Sequence, residues 1–231
     1  MRIRLPQPRP GPVGGLGWIL ALGLTGLAAC SGLRPPPVEA PALYLLDDGA
    51  GRPAAPPAPV AAGTGQRRPT LLVNQPRAAA GYDRPQIAYL RQPQRLEYYA
   101  YSAWVDTPAH MLAPLLTAEL SRSGGWQAVV QAPSAARADL RLDTEILRLQ
   151  QEFDGPASQL RLSLRATLID ETSHRVLASQ TFERSVSAGR QDALGGVIAA
   201  RQAVRGLLPE LALFCRATAD AGWAPATAGG P

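Results

Sequence analysis

Two stretches fix the kind of fold this chain can adopt. Leu140, Leu142, Thr144 and Ile146 alternate with Arg141, Asp143 and Glu145, and Leu160, Leu162, Leu164, Ala166 and Leu168 alternate with Arg161, Ser163, Arg165 and Thr167. A β-strand turns successive side chains to opposite faces, so each stretch has one apolar and one wet face. That pattern belongs to an antiparallel sheet covered on one side. The wet faces carry opposite charge, which predicts cross-strand pairs between Asp143 or Glu145 and Arg161 or Arg165. After Ile146 the apolar phase slips, because Leu147 and Leu149 fall on the other parity, and a β-bulge would produce that slip.

The cover is legible too. Asp106-Thr107-Pro108 is a helix start, with a capping side chain followed by proline in the first turn. Met111, Leu112, Leu115, Leu116 and Leu120 follow at helical spacing, and Gly124-Gly125 closes the segment. Pro114 predicts a kink or a late start. A longer helix carries Leu194, Val197, Ile198, Val204, Leu207, Leu208, Leu211, Phe214 and Cys215 as its apolar stripe, with a kink expected at Pro209. Shorter strands are read at 42–46, 70–73, 126–130 and 176–186, and a hairpin at 86–91 and 95–102 around Gln92-Pro93-Gln94. The expectation is an α+β fold: a two-layer, mostly antiparallel sheet with two amphipathic helices packed on one face.

With 231 residues, the chain suits one domain with appendages. Residues 1–29 read as a lipoprotein signal peptide. They begin basic and acid-free, and Val13 to Gly26 is uncharged and mostly apolar, too short to span a bilayer. Leu27-Ala28-Ala29-Cys30 resembles a bacterial lipobox, in which the cysteine thiol takes a diacylglycerol and the freed amine an acyl chain such as palmitate. Cys30 is therefore the expected lipidation site. Ser31 in place of aspartate resembles the pattern of lipoproteins sent to the outer membrane. Residues 30–41 form a tether and 42–217 the body, with a flexible Pro/Ala-rich loop at 49–69; 218–231 is expected to be a disordered tail.

Charge and chemistry exclude several functions. All 23 basic residues are arginine, and the formal charge is +5. Removing Arg2, Arg4 and Arg9 with the leader leaves 20 arginines against 18 acids, which gives no basis for a nucleic-acid partner. Two histidines and two cysteines make no zinc cluster, so neither metal nor cofactor is expected. The chain lacks a G-x-S-x-G elbow, a P-loop, a dinucleotide fingerprint and H-E-x-x-H. His110 reads as a residue near a helix start and His174 as a turn residue. Asp143 and Glu145 read as a solvated ladder, and Cys215 as a small buried hydrophobe. Gly195-Gly196, opening a helix, is a weak candidate for a phosphate cradle. The chain is expected not to be an enzyme. Its unusual stretch is Arg95-Leu96-Glu97-Tyr98-Tyr99-Ala100-Tyr101-Ser102-Ala103-Trp104. Alternation puts Tyr98 on one face and Tyr99 with Tyr101 on the other. Tyrosine, tryptophan and arginine dominate protein–protein hot spots, so Arg95, Tyr98, Tyr99, Tyr101 and Trp104 are the candidate partner-binding residues.

In order along the chain stand the lipobox, Tyr44-Leu45-Leu46-Asp47, the Pro/Ala-rich gap and the Arg95–Tyr101 stretch. Trp104, Pro108, the Met111–Leu116 helix and Ala138-Asp139-Leu140-Arg141-Leu142 follow. Together they resemble the ABC-type transport auxiliary lipoproteins, the PqiC-like family, over about 42–217. The resemblance implies a periplasm-facing outer-membrane lipoprotein. It would serve an MCE-type lipid-transport system, with an MCE-domain protein and an ABC transporter complex as partners and phospholipid as cargo. No catalytic residues come with it. A single small domain has little room for a lipid tunnel, so a lipid path would need several copies (a homo-oligomer) or a partner. Two other classes stay open at this point: a structural or assembly lipoprotein of the envelope, and a lipid-anchored hydrolase.

Overall fold

The structure, a computed structural model, describes residues 40–47 and 67–224. The signal peptide, Cys30, residues 31–39 of the tether, most of the 49–69 loop and the last seven residues lie outside the described residues. The described body has nine strands in one sheet: β1 (Ala42–Tyr44), β2 (Thr70–Val73), β3 (Arg77–Ala78), β4 (Gln86–Gln92), β5 (Arg95–Trp104), β6 (Ala128–Gln131), β7 (Leu140–Glu152), β8 (Gln159–Asp170) and β9 (Val176–Ser187). Two helices accompany them, α1 (Pro108–Ser123) and α2 (Ala193–Gly222).

The two alternating stretches are β7 and β8. They pair antiparallel along their whole length, and β8 pairs antiparallel with β9 in the same way. The slip after Ile146 is a bulge: Ile146 faces Leu164 and Arg148 faces Ser163, so Leu147 is the extra residue. The bulge lets Leu149 rejoin the apolar face beneath the helices, where it is buried. On the wet face Arg165 reaches Glu145 at 3.1 Å as expected, while Arg161 pairs instead with Glu152 at 2.6 Å. Asp143 takes a hydrogen bond from the Asn74 side-chain amide at 2.6 Å.

The other edge of β7 differs from the expected pattern. It receives β2, β3 and β4 in succession, all parallel to it. β6 joins β2 in parallel, and β1 joins β5 in parallel at the free edge of a β4–β5 hairpin. The fold is α+β, and its sheet is mixed. Side-chain alternation has the same period in either strand direction, so it cannot report this; the connection can. β2 and β6 are joined by a crossover containing α1, as parallel neighbours must be.

Thr107 caps α1 by accepting from the His110 backbone N–H at 3.4 Å, and Gly124 and Gly125 end it at φ 68° and 87°. The helix runs through Pro114, whose ring lies on the exposed side. Proline there removes the bond its N–H would give to the His110 carbonyl. α2 likewise runs through an exposed Pro209 and continues to Gly222, so residues 218–222 of the expected tail are helical. Ala219 explains the extension, because it carries the apolar stripe one turn further and is buried. Both helices cover one core built from the apolar faces of β2, β7 and β8, where Leu164 is fully enclosed between Ile146 and Phe182 on the neighbouring strands. Leu164→Ala is expected to cost about 2–5 kcal/mol, read as a lower urea midpoint with an unchanged slope.

The start of α2 has its own acid sensitivity. Asp192 caps it, accepting from the Gly195 N–H at 2.8 Å, and the Arg190 guanidinium grips the same carboxylate at 2.6 Å. The Arg190 hydrogen bond, followed by the Gly195 N–H, holds the Asp192 carboxyl below the usual range. A carboxyl depressed in the folded state stabilises fully above its unfolded pKa, near 3.9, and loses that contribution as pH falls through the lower folded value. Asp192→Ala should therefore lower stability by about 1 kcal/mol at neutral pH. Against the native chain the difference should shrink at about pH 3 and below, as seen by urea unfolding at both pH values.

Candidate partner surface

The β4–β5 hairpin and the end of β7 meet in an arginine–aromatic cluster. Tyr89 and Tyr99 have ring centroids 4.6 Å apart, and Phe153 meets Tyr89 edge-on at 6.0 Å. The Arg91 guanidinium lies over both Tyr89 (5.5 Å) and Phe153 (5.8 Å), and that of Arg84 lies over Tyr98 at 5.0 Å. Such cation–π contacts hold flat, amphipathic groups in fixed positions at a surface. Each hydroxyl is committed. Tyr89 donates to Glu97 Oε2 at 2.9 Å, Tyr98 to the Gly81 carbonyl at 3.0 Å, and Tyr82 to Gln150 Oε1.

Beneath the cluster, Tyr99 donates to Gln151 Oε1 at 3.0 Å, and the Gln151 amide donates to Ser158 Oγ at 2.8 Å. Gln151 is fully buried, so this chain satisfies a side chain that would otherwise be costly to enclose. Burial, then the neighbouring Tyr89, pushes the Tyr99 hydroxyl up to about 12. The Tyr89 hydroxyl is raised chiefly by its bond to Glu97. Both phenols stay protonated at neutral pH and act as donors.

The five predicted residues separate. Arg95 stands exposed at the hairpin tip beside Glu97, at 3.2 Å. Tyr98 is half-buried against Gly81 and Arg84, and Tyr99 is half-buried above Gln151. Tyr101 is 63% exposed, but on a different face. Trp104 is only 3% exposed and belongs to the core, so it cannot contribute to a surface. The reason is a slip in β5: Tyr98 faces Ala88 and Ala103 faces Gln86, five steps on one strand against two on the other. The extra residues break the alternation between Tyr99 and Ser102 and turn Trp104 inward.

Arg91, Phe153 and Arg84 were not singled out from the sequence. Arg91 was findable, since it sits two residues from Tyr89 on one strand and shares its face. Phe153 was not, because only the Tyr89–Gln151 register brings the end of β7 to the hairpin.

The remaining candidates resolve into structural roles. His110 pairs with Asp106 at 3.1 Å on the exposed start of α1. His174 occupies a turn at φ 56°. Cys215 is buried, and burial pushes its thiol up to about 12, which suits packing and not nucleophilic attack. Gly195 and Gly196 are not a phosphate cradle. A Cβ on Gly195 would lie 2.2 Å from the Arg190 carbonyl oxygen, and one on Gly196 would lie 2.5 Å from Gln151 Oε1. The glycines are there so that the helix can approach the buried network. Among the described residues no group of three His, Cys, Asp or Glu could hold a metal, and no helix is long and apolar enough to cross a membrane.

The distinctive surface of this small α+β body is its arginine–aromatic cluster. The chain belongs to the family described as the ABC-type transport auxiliary lipoprotein component, which matches residues 52–212. It is thus a lipoprotein of an ABC-type transport system. Among solved structures it is similar to protein XCC0632 from Xanthomonas campestris, with a TM-score of 0.62, 24% identity, and coverage of 80% of this chain and 98% of that one. An uncharacterized protein aligns with a TM-score of 0.56, 16% identity and coverage of 78% and 99%. The PelC dodecamer from Paraburkholderia phytofirmans aligns only at a TM-score of 0.41, 15% identity and coverage of 64% and 92%, too distant to bear on assembly. These likenesses establish the fold alone. No curated protein matches.

Proposed function

We propose that this lipoprotein serves an MCE-type lipid-transport system. Lipidated Cys30 would hold it on the outer membrane of a Gram-negative cell, facing the periplasm. Its hairpin cluster would dock the MCE-domain protein that works with the ABC transporter complex. The observation that carries the reading is the family match over 52–212, which assigns an auxiliary part in ABC-type transport. The cluster of Arg91, Arg95, Tyr89 and Phe153, with the rim of Tyr99, supplies a surface of the composition partners favour. The role is non-catalytic, and phospholipid passes between partners; several copies around one path would supply the enclosure that a single body lacks.

The test is a purification of the tagged, lipidated protein from detergent-solubilised membranes, with proteins and lipids both identified by mass spectrometry. Recovery of an MCE-domain protein with ABC subunits and phospholipid is the expected result. Recovery of envelope-assembly machinery without them would make the chain a structural lipoprotein and overturn the proposal.

A further inference from the structure

Where β5 leaves its irregular stretch, it pairs with β1 in the register Ala42↔Ser102, Leu43↔Ala103, Tyr44↔Trp104. From there the alternation is strict. Trp104 and Leu46 turn into the core, and Tyr44 packs against it. Leu43 (62% exposed), Leu45 (60%), Tyr101 (63%) and Val105 (46%) turn the other way and stand in solvent. Four large apolar side chains contributed by two adjoining segments form one exposed patch at the edge of the sheet. Ala103 lies between them. Scattered exposed apolar residues need no explanation, but a contiguous set does.

We propose that this β1–β5 edge is a membrane-contacting face, with Leu43, Leu45, Tyr101 and Val105 resting in the headgroup region of the bilayer that holds the protein. The inference rests on the reading of Cys30 as the lipidation site. Cys30 precedes Ala42 by 12 residues, a span of at most about 40 Å when fully extended. That span leads directly into β1, so the patch is the first described surface after Cys30. Its chemistry fits an interface. Aliphatic side chains bury shallowly there, and tyrosine places its ring in the apolar boundary with its hydroxyl in water. Beside the patch, Asp47 pairs with Arg201 at 2.6 Å and Asp106 with His110 at 3.1 Å. Contact would be driven by apolar burial.

The location also accounts for the free edge of β1, whose outer side pairs with no strand among the described residues. An uncovered edge invites pairing with other chains, and a headgroup layer covers it while still offering hydrogen bonds. The consequence is orientation. Seating the patch on the membrane would fix which side of the body faces the bilayer, with the Arg95 tip at the other end of β5 from Val105.

The experiment uses the full lipidated chain in phosphatidylethanolamine/phosphatidylglycerol vesicles, carrying a bimane label at Leu43→Cys, Tyr101→Cys or Leu213→Cys. Cys215 is buried and stays unlabelled, and the lipidated Cys30 has no free thiol. Leu213 is the control. It is equally apolar and exposed (66%), and it lies 12 residues along α2 from Arg201, about 18 Å by helical rise. Vesicle flotation comes first: failure to float would remove the anchor and this inference with it. For protein that floats, quenching by headgroup- and shallow-acyl spin-labelled lipids should be several-fold stronger at 43 and 101 than at 213. Equal quenching at all three sites would overturn the membrane face while leaving the anchor intact. So would protection at 43 and 101 that arises only when solubilised membrane proteins are added, since the patch would then be a protein interface.

Discussion

Gly195→Ala is expected to destabilise the protein, although alanine is the better helix former. The new methyl would sit 2.2 Å from the Arg190 backbone carbonyl oxygen, and a backbone atom fixed by the cap cannot move aside cheaply. Overpacking of this kind costs about 1–3 kcal/mol, against a helix-propensity gain of about 1 kcal/mol. The clash should win, because separation by one helical turn would also break the Asp192 cap. A net loss of about 2 kcal/mol lowers Tm by roughly 4–8 °C in a chain of this size. Gly206→Ala is the matching control. It lies mid-helix and exposed, and its Cβ would meet only the Arg184 side chain at 3.5 Å, an ordinary contact. It should stabilise by about 0.5–1 kcal/mol. Scanning calorimetry of the two variants decides the matter: a stabilised Gly195→Ala would mean that the helix start is not packed as described.

Cys30→Ala carries the largest functional effect. Each buried CH2 of an acyl chain contributes about 0.8 kcal/mol to membrane binding, so three chains make dissociation negligible. Without the thiol there is nothing to lipidate. The mature membrane-bound form should vanish, replaced by soluble product or uncleaved precursor in fractionated cells. The apolar β1–β5 face does not rescue it, since a shallow patch orients an anchored body but is too weak to retain a free one. A mature, membrane-bound Cys30→Ala protein would contradict the lipobox reading.

Much of the fold could be read from the sequence because its signals are local. The alternation of Leu140–Ile146 and Leu160–Leu168, the bulge at Leu147, and the capped start of α1 each depend on neighbours a few residues apart. What escaped depends on distant pairing. The parallel docking of β2, β3 and β4 along one edge of β7 leaves no mark on side-chain period, and two-residue β3 is too short to show a period at all. The layout of the hairpin is legible only in part for the same reason. Tyr98, Tyr99 and Arg95 lie on the hairpin as expected, but the slip in β5 sent Trp104 into the core and Tyr101 to the outer edge. Simple alternation fails wherever a strand carries unpaired residues. Gly195-Gly196 misleads in another way: a glycine pair at a helix start serves close packing as readily as anion binding, and only the position of Gln151 distinguishes the two.

The central claim, that the hairpin cluster docks a transport partner, is tested most directly by photo-crosslinking in living cells. A photoreactive phenylalanine analogue is placed at Arg95, at Arg91, or at Arg137, an exposed control just before the opposite end of β7. Crosslinks to an MCE-domain protein from positions 95 and 91 but not from 137 are the predicted result. Crosslinks from all three alike, or from 95 and 91 only to proteins outside any ABC transport system, would contradict it.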